Sequence, residues 1–319
     1  MLSRRNRESP TPRSEPTPFA ARAKDLGALR DAVVDAAGVG AGLWISYLFV
    51  LFYFAIAAGA VTHRDLLLEN PVKLPFLNVE LPLKAFFVLG PLVFLTVHLY
   101  VLLHFVLLAG KIGAFDAELQ AQIADDDARA RLRRQLPSNI FVQFIAGPRE
   151  VREGMVGFLL RQVAQISLVA GPIALLILFQ LQFLPYQSEW ITSWQRIAVV
   201  IDMALLWFLW PPISRGQTKL LAWREFRRVK VAALAVASLL PLLLVFIVAT
   251  FPGEWLSEDL PGIASLQLRK SLVVGRVDAV TGSFKGLWSN VLVVPSFDMG
   301  NRLKVDAENR LSISTDVVT

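Results

Sequence analysis

Ala85-Phe86-Phe87-Val88-Leu89-Gly90-Pro91-Leu92-Val93-Phe94-Leu95-Thr96-Val97-His98-Leu99-Tyr100-Val101-Leu102-Leu103-His104-Phe105-Val106-Leu107-Leu108-Ala109-Gly110 contains no Asp, Glu, Lys or Arg. As a helix at about 1.5 Å rise per residue, this run exceeds the roughly 30 Å hydrocarbon thickness of a bilayer. A helix of a soluble core keeps a polar face for water, and this one has none. Four further runs flank it. Ala36 to Thr62 is also free of charge, Gln162 to about Phe183 holds Pro172, Ile197 to Ile213 is shorter and holds Asp202, and Val231 to Phe251 is almost wholly Ala, Val, Leu, Ile and Phe.

The whole chain agrees with these runs. Of its 319 residues 55% are apolar and 18% charged, with a mean hydropathy of +0.52, outside ordinary soluble composition. The chain reads as an all-α membrane protein, a polytopic helical bundle of about five transmembrane helices with a small C-terminal extramembrane segment containing short strands. It has no cysteine, which excludes disulfides, thiolate metal sites and a thiol nucleophile.

The net charge of +6 and pI near 9.8 point to topology rather than nucleic acid, because the basic residues fall in alternate loops. Lys and Arg number seven before the first run, three between Val61 and Ala85, eight from Lys111 to Arg161, one at Arg196 and six from Arg215 to Lys230. The positive-inside tendency then places the amino terminus in the cytoplasm and the chain after Phe251 in the periplasm of a bacterial inner membrane. Tyr186, Trp190 and Trp194 mark the outer interface, and Trp207, Trp210 and Trp223 the inner end of the fourth crossing.

Residues 1–24, rich in Arg, Ser, Pro and Glu, read as a disordered cytoplasmic tail. Residues 25–253 form the transmembrane helical domain, with a cytoplasmic helical loop over 111–157. In that loop Phe115, Leu119 and Ile123 share one face, and the spacings Asp125 to Arg129 and Asp127 to Arg131 suit ion pairs, so one helix is expected over Phe115 to Gln135. Ile140 to Ile145 is too short to cross and should lie at the interface or pack in the bundle, with Pro148 opening the helix into the third crossing. Residues 254–319 form a small periplasmic segment, where Ser271 to Val274, Val277 to Val280 and Asn290 to Val294 read as short strands.

The candidate site is a set of intramembrane polar residues, Asp202, Gln180 and His98. A carboxylate at membrane depth is costly, and such groups serve either ion pathways or interhelical pairing. Asp202 and Gln180 should share a depth near the outer side, with His98 closer to the middle. Metal binding is not expected, since His98 and His104 stand six positions apart and lie on different helix faces. Arg129, Arg131, Arg133, Arg134, Arg149 and Arg152 can meet anionic headgroups or serve as orientation charges balanced by nearby Asp and Glu. Phosphate-cradling loops, HExxH and a nucleophile elbow do not occur, so neither catalytic nor cofactor-binding residues are assigned.

Several strings carry a family likeness: Leu68-Glu69-Asn70-Pro71-Val72-Lys73-Leu74-Pro75, Arg133-Arg134-Gln135-Leu136-Pro137-Ser138-Asn139-Ile140-Phe141-Val142-Gln143-Phe144, Gln180-Leu181-Gln182-Phe183-Leu184-Pro185-Tyr186, Thr250-Phe251-Pro252-Gly253-Glu254-Trp255 and Leu287-Trp288-Ser289-Asn290-Val291-Leu292. Over roughly Leu66 to Asp316 the chain resembles the amino-terminal membrane region of bacterial, chiefly rhizobial-type, pentapeptide repeat-containing membrane proteins. The five-residue units that follow in those relatives do not occur in these 319 residues, so a function of their β-solenoid is not carried over, and the resemblance implies either a short or truncated member or a repeat domain supplied otherwise.

The expectation is a non-enzymatic inner-membrane anchor or scaffold that contacts the lipid bilayer, an unknown protein partner and a second copy as a homo-oligomer, without nucleic acid and without a cofactor. The alternative is a transporter or channel subunit built on the intramembrane polar residues. The topology is testable by fusion: alkaline phosphatase joined after Asp259 is expected to be active and after Arg228 inactive, and the reverse pattern rejects the orientation.

Overall fold

Helices that are apolar around their whole circumference leave large side chains with nothing polar to face. In the computed structural model, which describes residues 18–74, 79–216, 228–254, 276–277, 284–285, 288–292, 303–305 and 311–313, Ile45, Phe49, Phe52 and Ile56 recur along one face of helix α1 (Pro18–Gly59) and are all exposed. Phe49 is 62% exposed, whereas Tyr47, on another face, is buried. Leu89, Leu92, Val93, Leu103 and Leu107 are likewise exposed on α3 (Leu83–Gln122). Among the described residues, four helical spans are long and apolar enough to cross a membrane: Asp25–Gly59, Leu83–Gln122, Met155–Tyr186 and Glu189–Arg215.

Between α1 and α3 lie the short helix α2 (His63–Leu68) and an antiparallel hairpin of β1 (Val72–Leu74) and β2 (Val79–Leu81), in register Val72 to Leu81, Lys73 to Glu80 and Leu74 to Val79. After α3 come α4 (Asp126–Arg134), α5 (Ile140–Ala146), α6 (Arg149–Glu153), α7 (Met155–Gln165), α8 (Gly171–Phe183), α9 (Glu189–Arg215) and α10 (Arg228–Leu243). Two π segments, Ile166–Ala170 and Leu244–Val248, interrupt the regular helix. The first leads directly into the turn holding Pro172, whose missing N–H and bulky ring disfavour regular α geometry there.

The chain divides into two compact units. One comprises Met1–Ser46, Leu99–Leu168 and Trp207–Glu225; the other comprises Tyr47–His98, Val169–Leu206 and Phe226–Thr319. In the first unit α1 packs on α3 at Gly40, where a Cβ would make ordinary contact with Leu108 at 3.4 Å and His104 at 3.5 Å. Asn139 caps α5 by accepting the Phe141 N–H at 2.9 Å, and its amide donates to the Ala37 carbonyl at 2.9 Å. Phe141 meets Phe105 with ring centroids 3.9 Å apart, and Trp44 donates to Ser167 Oγ at 3.2 Å. The short stretch expected at the interface or in the bundle is therefore packed, with Phe141, Val142, Phe144 and Ala146 buried.

In the second unit Phe86, Phe87, Phe179 and Phe183 form the core of an aromatic cluster, with centroids 5.4 Å apart for Phe86 and Phe179 and 4.7 Å for Phe87 and Phe183. Gly90 is required by this packing: a Cβ on it would come within 2.8 Å of the Phe179 ring.

Several expected boundaries move. The single helix over Phe115 to Gln135 is two helices, because α3 runs on to Gln122 and Asp125 acts as the N-cap of α4, accepting the N–H groups of Asp127 and Ala128. Asp125 is thus a cap, and Arg129 pairs with Asp126 instead. Pro148 opens only the short α6, and Gly154 separates it from α7. The fourth helix starts at Glu189 rather than Ile197, so Arg196 lies inside it. The fifth run folds as α10 and a π segment, and its described apolar part, Leu234–Val248, is shorter than the four long spans. The tail over 1–24 lies largely outside the described residues, with α1 beginning at Pro18.

In the C-terminal segment Arg276–Val277 pairs with Phe284–Lys285, and Leu303–Val305 pairs with Leu311–Ile313, each antiparallel. The expected strand from Asn290 is not one over its described residues 290–292, because Ser289 Oγ accepts the Val291 N–H at 3.2 Å and bends the chain. Ser271 to Val274 lies outside the described residues.

Helix α2 opens on a reciprocal cap: the Thr62 hydroxyl accepts the Asp65 N–H, while the Asp65 carboxylate accepts the Thr62 N–H at 3.1 Å and the Asn70 amide at 3.0 Å. Donation by Thr62 and then Asn70 holds the Asp65 carboxyl below the ordinary carboxylate range. A depressed folded-state value stabilises above the unfolded value and is lost as pH falls through the folded one. Thr62→Ala is expected to lower stability by about 1 kcal/mol at neutral pH, in denaturation from detergent micelles. The gap to wild type should narrow below the unfolded carboxylate value, and a gap constant with pH contradicts the assignment.

Candidate functional site

Among the described residues of the second unit, two buried polar clusters stand out. In the first, α3 carries His98 and α9 carries Asp202, both with no exposed surface, and His98 Nδ1 lies 2.5 Å from Asp202 Oδ1. The imidazole stacks against Tyr47 and Phe94, with centroids 5.6 and 6.0 Å away and ring planes within 19° and 21°. Which atom donates in this hydrogen bond depends on the imidazole tautomer: a ring carrying Nδ1–H donates to the carboxylate oxygen. Asp202 Oδ2 is buried and has no hydrogen-bond partner among the described residues. Such an oxygen loses its hydration without replacement, at a cost of about 1–3 kcal/mol.

The second cluster explains how α10 can end among apolar side chains. Its π segment leaves the carbonyls of Val245 and Ala249 facing α8 and α9. Gln180 Nε2 donates to both, at 3.0 and 3.2 Å. Arg196 donates from Nε to Val245 O and from Nη2 to Ala249 O, each at 3.0 Å. Its guanidinium also pairs with both carboxylate oxygens of Glu254, and Glu254 Oε2 accepts the Phe251 N–H at 3.3 Å. Arg196 is 2% exposed and Glu254 fully buried. One guanidinium therefore satisfies two helix-end carbonyls and neutralises the carboxylate that follows them.

The same logic recurs at Pro91, which cannot donate to the carbonyl four residues earlier. That carbonyl belongs to Phe87, and Gln195 Nε2 reaches it at 3.3 Å, while Trp194 Nε1 donates to Val88 O at 3.0 Å. Farther along, the Asn290 amide donates to the Thr250 carbonyl at 2.9 Å, and Gln187 donates to the Asn290 carbonyl at 3.5 Å.

The structure thus brings together two of the three residues singled out in the sequence, His98 and Asp202. Gln180 belongs to the other cluster, and its amide does not serve Asp202. The principal residues missed are Arg196 and Glu254. Arg196 counts in the sequence as a loop charge, yet Thr192, Gln195, Arg196, Val199 and Asp202 recur at helical spacing and are all buried. That periodic polar face was the available signal. Glu254 sits within the Thr250 to Trp255 string, and no local pattern announces its distant partner. Among the described residues no group of three or more His, Asp and Glu is arranged to hold a metal ion. No family model, curated protein or solved structure matches the chain.

Removing one member of the ion pair leaves a buried charge and, for Arg196, two carbonyls that keep Gln180 as their side-chain donor. Arg196→Leu is expected to cost about 3–5 kcal/mol, and Arg196→Leu with Glu254→Leu to cost less than the sum of the single changes. Strict additivity in a double-mutant cycle contradicts the pairing.

Proposed function

We propose that the chain is a multi-pass membrane anchor or scaffold, non-enzymatic, that holds its C-terminal segment at the membrane surface for protein interaction. The observation that carries this reading is the buried Arg196–Glu254 pair, because it fixes the chain at the first residues beyond the last apolar helix. The Asn290 bond to Thr250 adds a second tie downstream. Buried polar side chains thereby serve to hold backbone in place, as an anchor requires.

A fifth crossing belongs to the proposal. Helix α10 and its π segment contain 16 and 5 residues and together span about 30 Å, the hydrocarbon thickness. With five crossings, the alternating basic loops put the amino terminus in the cytoplasm and the C-terminal segment in the periplasm of a bacterial inner membrane. The resemblance to the membrane region of pentapeptide repeat-containing proteins supports the same role. The partner is a protein or a second copy of the chain.

A second reading, a transporter or channel subunit, is favoured by one observation: the unpartnered Asp202 Oδ2 beside His98. The two readings separate in proteoliposomes. The anchor reading expects no proton or monovalent-ion flux above empty vesicles for wild type and for Asp202→Asn. Flux in wild type that Asp202→Asn abolishes overturns it in favour of transport.

A further inference from the structure

In the second unit, opposite charges stand side by side at the mouth of a groove between the starts of α3 and α9. Lys84 is the second residue of α3, and its Nζ lies 3.1 Å from Glu69 Oε1. The Tyr186 hydroxyl donates to the same oxygen at 2.5 Å. Both contacts fall on Oε1, so among the described residues Glu69 Oε2 keeps its lone pairs open, and the Lys84 ammonium has N–H groups to spare. Both side chains of the pair are about half exposed, so an incoming ligand can reach them. Hydrogen bonds from Tyr186 and then Lys84 hold the Glu69 carboxyl below the ordinary carboxylate range, leaving it ionised at neutral pH. Its backbone is uncommon as well. Glu69 has φ 53°, in the left-handed region where glycine is easier, so a carboxylate is kept at this corner against a conformational cost.

Beyond its mouth the groove is apolar. Lys84, Val88, Leu89, Tyr186, Ser188 and Trp190 line one cavity of about 550 Å³. Lys84, Val88 and Leu92 follow one another at intervals of four on α3, so the cation and the apolar wall share a helix face. Leu89 and Leu92 on that wall are exposed. Trp190, the second residue of α9, is 68% exposed and brings to the cavity an indole of the kind that sits at a headgroup boundary. One turn farther along α9, Trp194 donates to the Val88 carbonyl at 3.0 Å and ties the two walls together.

We propose that this groove binds phosphatidylethanolamine, with the phosphate on Lys84 and the Ser188 hydroxyl, the ammonium on Glu69 Oε2 and an acyl chain along Val88, Leu89 and Leu92. A zwitterionic headgroup matches a cation and a carboxylate in contact, whereas the anionic headgroup of phosphatidylglycerol meets Lys84 but is repelled by Glu69. Phosphatidylcholine has no N–H to donate, and a quaternary ammonium is recognised instead by aromatic cages. The Tyr186 ring is already taken: it stacks on Phe183 with centroids 4.8 Å apart, and Lys84 Nζ lies 5.3 Å from its centroid. Free phosphoethanolamine would fill the charged mouth and leave the apolar wall bare, so charge and surface together select the lipid. The proposal rests on the membrane reading and adds a headgroup preference to it.

The test uses the full chain purified in neutral detergent with dioleoyl phosphatidylethanolamine, phosphatidylglycerol or phosphatidylcholine added, bound lipid being counted by native mass spectrometry. Wild type is expected to bind phosphatidylethanolamine about tenfold more tightly than either of the others. Glu69→Gln keeps an acceptor for Tyr186 and Lys84 but removes the charge, so it is expected to bind phosphatidylglycerol at least as well as phosphatidylethanolamine. Lys84→Gln is expected to weaken both. Equal retention of the three lipids by wild type overturns the site. So does a preference that Glu69→Gln leaves intact, undiminished retention by Lys84→Gln, or displacement by phosphoethanolamine at the concentration at which lipid competes. Should the variants fail to fold, N-methylated phosphatidylethanolamines on wild type give the same reading: binding should persist to the dimethyl lipid, which keeps an N–H, and fall at phosphatidylcholine, and no fall at that last step overturns the site. A parallel alkaline wash of membranes separates the two claims: release of the chain contradicts membrane insertion itself, whereas retention without lipid preference contradicts only the site.

Discussion

A backbone group that loses water must find another partner, and in hydrocarbon the partner has to come from the protein. This constraint organises the polar chemistry of the apolar helices. Pro91 removes a donor from α3, and Gln195 of α9 supplies one to Phe87. The π segment of α10 leaves carbonyls at Val245 and Ala249, and Gln180 and Arg196 reach both. Arg196 brings a charge with it, and Glu254 neutralises that charge. Each polar residue answers a defect created by another, so the cluster stands or fails together.

His98 and Asp202 obey the same constraint incompletely. One carboxylate oxygen meets the imidazole and the other meets nothing among the described residues. The Arg196 guanidinium has a partner at each nitrogen, whereas Asp202 keeps one oxygen unfilled; the Gln180 amide oxygen is likewise buried without a partner among the described residues. The stacking of Tyr47 and Phe94 on the imidazole keeps its ring oriented, whichever form the pair takes.

The four long helical spans were legible because they depend on a local property, an unbroken apolar run longer than a bilayer is thick. The meeting of His98 and Asp202 was only half legible: each residue stood out as polar within an apolar run, but their pairing depends on helix rotation. Arg196 reads as a loop charge because a charge ordinarily ends an apolar run, and a guanidinium with a carboxylate and two carbonyls in reach does not end this helix. Asp125 was misread in the opposite sense, since its spacing to Arg129 suits an ion pair as well as its side chain suits a helix cap. The hairpin of Val72–Leu74 and Val79–Leu81 went unrecognised because its three-residue strands are too short for alternation to register.

Exposed Phe49, Phe52, Leu107 and Ile166, on helices long and apolar enough to cross a membrane, are compatible with lipid chains as their solvent. The most direct measurement is the accessibility of that surface: cysteines placed singly at positions 49, 52 and 107 of this cysteine-free chain, spin-labelled in liposomes, and probed with oxygen and with a water-soluble nickel chelate. The account predicts strong collision with oxygen and little with the chelate at all three positions. Ready collision with the chelate at all three would place these helices in water and contradict it.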